Sequence, residues 1–202
     1  MYKFIFGTVG LVLFLLFRFV FRWRVSGLEN IPSGGAVLAA NHQSFWDIPL
    51  IALSVHRRVH FMAKEELFQI PVFGSVIRSV LAFPVKRGAP DRAAIRHAIE
   101  KLQEGDLVVI FPEGTRSKTG KMGKFEPGAA LIAMKAGVPM VPTGIIGTDR
   151  ILRKGSFFSR IEIHFGQPVP TGPAENVEGK KTLEEIGLAV RSSLEKILNR
   201  IS

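Results

Sequence analysis

The feature that most constrains this chain is a recurring alternation: a short apolar run, then a segment with helical spacing. GAVLAA (35–40), VHFMA (59–63), AFPVKR (82–87), DLVVIF (106–111) and PMVPTGIIG (139–147) read as strands. Runs this apolar suit strands covered on both faces. IPLIALSV, VFGSVIRSVL, RAAIRHAIEKLQE and GAALIAMKAG fall between them and read as helices. Pro49 is tolerated only in a first turn. Asp91 reads as an N-cap and Gly105 as a stop for the third of these helices. RIEIHF alternates like a half-exposed strand, and Leu183, Ile186, Val190, Leu194, Ile197 and Ile201 line one face of a final helix. Strands alternating with helices predict an α/β fold, a mixed and largely parallel sheet flanked by helices.

The amino terminus has a different character. Phe4 to Phe17, FIFGTVGLVLFLLF, is fourteen residues without a charge. As a helix it is ~21 Å long, short of a ~30 Å hydrocarbon core. Extension to Phe21 includes Arg18, which can snorkel at an interface. Arginines follow this run instead of the small-residue cleavage site of a signal peptide. The expectation is an N-terminal membrane-embedded helix over 1–25 with Trp23 at headgroup depth, then one domain over 26–202. Arg18, Arg22 and Arg24 follow the run against Lys3 before it, which places the domain on the cytoplasmic face of the cell membrane. SGLENIPSGG reads as a linker.

Lys and Arg number 27 against 17 Asp and Glu, so the partner is expected to be anionic. Aromatics do not interleave with basic residues as a base-stacking surface needs, so no nucleic acid is expected. There is no Cys, which excludes thiolate nucleophiles, thiolate metal sites and disulfides. His56 and His60 have a metal-ligand spacing, but His60 falls in an expected strand without a third ligand; no metal is expected.

In an open α/β sheet, ligands bind beyond the carboxyl ends of the strands. Two polar stretches follow such ends: NHQSFWD (41–47) after GAVLAA, and PEGTRS (112–117) after DLVVIF. On an ideal helix His42 and Asp47 would stand ~140° apart. They meet only if His42 lies in the incoming loop and Asp47 in the first helical turn. Asp47 would then accept from Nδ1–H and leave Nε2 as a base. Imidazole, titrating near neutrality, suits proton abstraction from an alcohol. Ser44-x-x-Asp47 also has the spacing of a capping box. In the second stretch Gly114 permits close backbone approach, and Arg116 offers a bidentate fork for phosphate. Lys118, Lys121 and Lys124 follow, without the spacing of a P-loop.

These blocks, in this order, resemble the glycerolipid acyltransferase family that includes the 1-acylglycerol-3-phosphate acyltransferases. The likeness covers roughly residues 25 to 170. NHQSFWD carries the family's H-x4-D, AFPVKR its second block, FPEGTRS its third and VPMVP (138–142) its fourth. The second block usually opens with Gly where Leu81 stands here, and Glu126 occupies a position often basic. The resemblance implies His42 as general base and Asp47 as its orienting carboxylate. It implies Arg87 and Arg116 as phosphate-binding groups, with Glu113, Gly114 and Thr115 shaping the glycerol site and Val138 to Pro142 a site wall. It further implies membrane-borne lysophosphatidate as acceptor, acyl-CoA or acyl-carrier protein as co-substrate, and no cofactor. Three other readings stand beside it: an acyltransferase for another lyso-acceptor, a membrane-associated hydrolase using the same His–Asp pair on water, and a non-enzymatic binder of anionic membranes or nucleic acid, which gives no reason for His42 and Asp47.

Overall fold

The structure is a computed structural model that describes residues 10–86, 91–117, 122–151, 160–172 and 179–201. A single seven-stranded sheet organises it. In chain order the elements are α1 (Gly10–Phe19), β1 (Arg24–Ser26), β2 (Ala36–Ala40), α2 (Asp47–Ser54), β3 (Val59–Lys64), α3 (Phe73–Ser79), β4 (Ala82–Val85), α4 (Arg92–Gln103), β5 (Leu107–Ile110), α5 (Gly128–Ala136), β6 (Met140–Ile146), β7 (Glu162–Phe165) and α6 (Gly179–Ile201). The spatial strand order is β1-β7-β6-β2-β5-β3-β4. Every pairing is parallel except β6 with β7.

Alternation along β2 divides the core into two layers. Ala36, Leu38 and Ala40 face a cluster with Leu50, Ile51 and Phe61, while Val37 and Ala39 face one with Ala98, Ile132, Met140 and Val190. Both faces are therefore covered, α1 and α2 on one side and α4, α5 and α6 on the other. This is why GAVLAA and DLVVIF carry no polar alternation. Asp91 caps α4 by accepting from the N–H groups of Ala93 and Ala94, both at 3.1 Å. Ile186, Val190, Leu194 and Ile197 of α6 are buried as their spacing predicts. The helix comes so close to β6 that a Cβ on Gly144 would lie 2.4 Å from the Ile197 side chain.

In the described part of the amino-terminal region, the place of Trp23 and the boundary at residue 25 differ from the expectation. Among the described residues no helix is long and apolar enough to cross a membrane. The described residues of α1 number ten, ~15 Å of helix. Phe17, Phe21 and Trp23 belong to the same core cluster as β2 and α2. Trp23, expected at headgroup depth, is only 3% exposed and packs edge-on against Phe14 and Phe17. Fully burying a side chain such as Phe17 contributes ~1.5–3 kcal/mol, which fastens α1 to the domain. The expected division at residue 25 falls inside β1, which pairs with β7 from Arg24↔Glu162 to Ser26↔His164. The stretch read as a linker opens on this strand and continues into a short 3-10 turn, Leu28–Asn30; the Asn30 side chain donates to the Phe165 carbonyl. A three-residue strand is too short to announce itself by period.

Leu81, where the family motif usually has Gly, holds a left-handed backbone at φ 58. The turn between α3 and β4 thus asks for the conformation that glycine supplies freely.

Candidate active site

The loops that follow β2 and β5 leave the sheet side by side, because these strands pair in parallel register from Ala36↔Leu107 to Ala39↔Ile110. NHQSFWD and FPEGTRS therefore meet at one carboxyl edge. Asn41 sets where the first loop begins. It is 3% exposed; its amide donates to the Ile145 carbonyl at 2.8 Å and accepts from the Ile145 N–H at 2.7 Å. One side chain thus extends the β2–β6 pairing past the last strand residue.

His42 lies in the loop and Asp47 opens α2, the arrangement that lets them meet. His42 Nδ1 stands 2.7 Å from Asp47 Oδ2. The same oxygen accepts from the N–H groups of Gln43 at 2.8 Å and Ser44 at 2.9 Å. Asp47 is fully buried and the His42 side chain is 13% exposed. An ionised carboxylate only accepts, so Nδ1 carries the proton and Nε2 presents a lone pair. The capping-box reading holds in part as well: the carboxylate reaches back to the Ser44 N–H, while the Ser44 hydroxyl accepts weakly from Trp46 N–H at 3.4 Å. One carboxylate shapes the helix start and aims the imidazole.

The second loop closes on the first. Phe111 stacks on the His42 ring, with centroids 3.9 Å apart and planes 19° from parallel. The Ser117 N–H donates to the His42 carbonyl at 2.9 Å. Between them the chain turns at Gly114, whose φ of 68 favours glycine and whose N–H donates to the Phe111 carbonyl. Glu113 turns toward the returning strand of the loop, where Oε2 accepts from the Gly123 N–H at 2.8 Å. Thr115 and Arg116 are exposed. The Arg116 guanidinium lies over the Phe45 ring, 4.0 Å from its centroid, which holds a cation beside the His42 loop.

Thus His42, Asp47, Glu113, Gly114, Thr115 and Arg116 converge at one edge, and Arg87 lies outside the described residues. Val138 and Pro139 precede β6 at the opposite edge and Met140 to Pro142 lie in its first half; Ile145, further along the same strand, is the residue that holds Asn41. A cavity of about 290 Å³ opens beside Phe111, lined by Met62, Val85, Ile95, Ala129 and Ile132 among others. A larger one, about 790 Å³, lies at the far end of α2 under α1. His60, of the rejected metal pair, bonds Asp106 instead, and no cluster of metal-ligating side chains occurs among the described residues. Sequence reasoning passed over Asn41 and Phe111. A polar side chain ending an apolar run was the available signal for the first; nothing in the sequence singles out the second.

A largely parallel α/β sheet with a buried carboxylate on a histidine, and a glycine-turn loop carrying Arg116 beside it, has the geometry that general-base chemistry on a polar, anionic substrate requires. Comparisons with known proteins give that class its family. The profile of the acyltransferase family matches residues 22–146. A 1-acyl-sn-glycerol-3-phosphate acyltransferase of Bacillus subtilis is 30% identical over 88% of this chain and 89% of its own length. A chloroplastic 1-acyl-sn-glycerol-3-phosphate acyltransferase of Brassica napus is 41% identical over 65% of this chain. That match spans 39% of the Brassica protein, about two fifths of its length. The crystal structure of the 1-acyl-sn-glycerophosphate acyltransferase PlsC from Thermotoga maritima superposes with a TM-score of 0.67 at 31% identity, covering 97% of this chain and 93% of the other. The chain belongs to the acyltransferase family.

Proposed function

We propose that this protein transfers a fatty acyl group from acyl-CoA or acyl-carrier protein to the free sn-2 hydroxyl of lysophosphatidate, giving phosphatidate. The observation that carries the reading is the 2.7 Å contact of His42 Nδ1 with buried Asp47, which leaves Nε2 as acceptor beside the Arg116 loop. The acceptor hydroxyl attacks the thioester carbonyl as Nε2 takes its proton. The tetrahedral intermediate collapses, the C–S bond breaks and the proton passes to the departing thiolate. Asp47 holds the tautomer and stabilises the imidazolium. General-base catalysis supplies ~10²–10⁴-fold, and positioning the two substrates supplies more.

Arg116 holds the acceptor's phosphate, joined by Arg87; Glu113, Gly114 and Thr115 fix the turn that presents it. No resident cofactor is needed, because the thioester is itself the activated group. The domain works at the cytoplasmic face of the membrane, with the N-terminal segment lying in one leaflet. The outward face of α1 supports this: Leu11, Val12, Phe14, Leu15, Leu16 and Phe19 are each at least 41% exposed.

The test combines purified protein with a panel of lyso-acceptors and either acyl donor, and identifies products by mass. Phosphatidate from lysophosphatidate is expected. Free fatty acid as the main product would make the protein a hydrolase, and a different diacyl product would change the acceptor. Arg116→Ala is expected to raise KM for the phosphorylated acceptor more than for the donor; equal effects would remove the phosphate role.

A further inference from the structure

Beside the His42 loop the chain does something costly. At 70–76, IPVFGSV, the Phe73 N–H donates to the Pro71 carbonyl at 2.7 Å across Val72, whose φ and ψ are 64 and −54. This is a γ-turn of the strained hand, centred on a β-branched residue that ordinarily avoids positive φ. Its result is to hold Val72 outward, 80% exposed. Ile70 and Val76 flank it at 48% and 52%, and Phe45 of the His42 loop is 54% exposed. A strained backbone that displays an apolar side chain to solvent gains nothing for folding; its use lies in contact with something apolar.

The patch is continuous with the site. Phe73 packs edge-on against Phe45, with centroids 6.3 Å apart. On the other side of the same loop Trp46 packs against Phe17 of α1, at 5.5 Å. The loop is thus tied on this side to the buried face of α1, whose outward face is apolar and exposed. Guanidinium groups edge the patch, Arg78 over Phe68 at 5.3 Å and Arg116 over Phe45. Of the neighbouring acids Glu65 and Glu66, the second pairs with Lys64 at 3.0 Å. Apolar tips edged by two arginines suit one occupant, the headgroup and upper acyl region of an anionic lipid leaflet.

We propose that segment 70–76 inserts into the lipid leaflet that holds the acceptor, with Val72 at its tip, so that the His42 loop faces the bilayer during transfer. The inference rests on the proposed lysophosphatidate acceptor. It differs from anchoring by α1, because it concerns how the acceptor's hydroxyl reaches His42 and not whether the protein stays on the membrane.

The chain has no cysteine, so Val72→Cys in the full-length protein takes one environment-sensitive fluorophore. With vesicles of phosphatidylcholine and phosphatidylglycerol the emission is expected to shift to the blue, and less so with phosphatidylcholine alone. In parallel, Val72→Asp and Val72→Gly are assayed on two acceptors: long-chain lysophosphatidate in vesicles and a short-chain analogue dispersed as monomer. Gly relieves the strain of the γ-turn, and the monomeric acceptor shows separately whether either variant has lost folded enzyme. Both variants are expected to lose about tenfold or more on the vesicle acceptor, Asp the more, with little change on the monomer. Equal losses on both acceptors, or an unshifted probe, would overturn the proposal. A wild-type protein inactive on both acceptors would remove the acyltransfer reading, and the probe would still decide whether the segment inserts.

Discussion

Two histidine–aspartate pairs stand at opposite edges of the same sheet. At the carboxyl edge, Asp47 takes Nδ1 of His42 at 2.7 Å. At the amino edge, Asp106 takes Nε2 of His60 at 3.0 Å. The burial is similar, with histidine side chains 13% and 10% exposed. The chemistry is not. A carboxylate on Nδ1 leaves the outer nitrogen pointing away from the backbone, where a substrate can reach it. A carboxylate on Nε2 consumes that tip. The surroundings diverge in the same sense: His42 meets Phe111 and the Arg116 loop, whereas His60 meets the ring of His97 on α4. The choice of nitrogen, and the edge of the sheet, separate the pair proposed to work from one that supports the fold.

The largest expected difference between the pairs comes from removing each carboxylate's charge. Asp47→Asn keeps an acceptor for the Gln43 and Ser44 N–H groups but disfavours the Nδ1–H tautomer, so kcat should fall about 10²–10⁴-fold. Asp106→Asn should leave kcat essentially unchanged and lower stability by about 1–2 kcal/mol. Denaturant titration alongside turnover separates the two effects. Comparable losses of kcat would erase the distinction.

A smaller effect sharpens it from the sheet side. Asn41→Ala strands the buried N–H and C=O of Ile145 and should cost about 2 kcal/mol. It should also lower kcat, because the loop that carries His42 starts from this anchor. Activity that falls only in proportion to the folded fraction would show that Asn41 serves stability alone.

The smallest effect lies in the supporting pair's neighbour. Burial, and then the positive charges of Lys101 and His60, hold the His97 imidazole below its ordinary value. The folded protein therefore binds fewer protons than the unfolded chain in that range. Stability present above the ordinary imidazole value is lost as pH falls from it through the lowered one. His97→Gln should flatten this part of the melting temperature's pH dependence without altering the pH dependence of turnover. An unchanged slope would show that His97 is not its source.

What the sequence disclosed follows from the physics of each element. Doubly covered strands such as β2 and β5 are unbroken apolar runs, and α4 carries its own cap, so both were legible. The convergence of His42, Asp47 and the Gly114 loop followed from a rule about strand ends. The amino terminus was legible only in part: a segment that fastens to a core by Phe17, Phe21 and Trp23 and one that lies against a membrane share the same composition. Only the fold distinguishes the buried face from the outward one. Asn41 and Phe111 act through residues distant in sequence, Ile145 and His42, and pairing across the sheet leaves no local pattern. Val72 was invisible for a related reason: a valine in a γ-turn looks like any valine in an apolar run.

The most direct test of the account is thiol release from acyl-CoA with lysophosphatidate, measured for the wild type, His42→Gln and His60→Gln at matched folded fraction. The account predicts that His42→Gln loses about 10²-fold or more while His60→Gln turns over as the wild type does. Near-normal turnover by His42→Gln, or an equal loss in both, would contradict it.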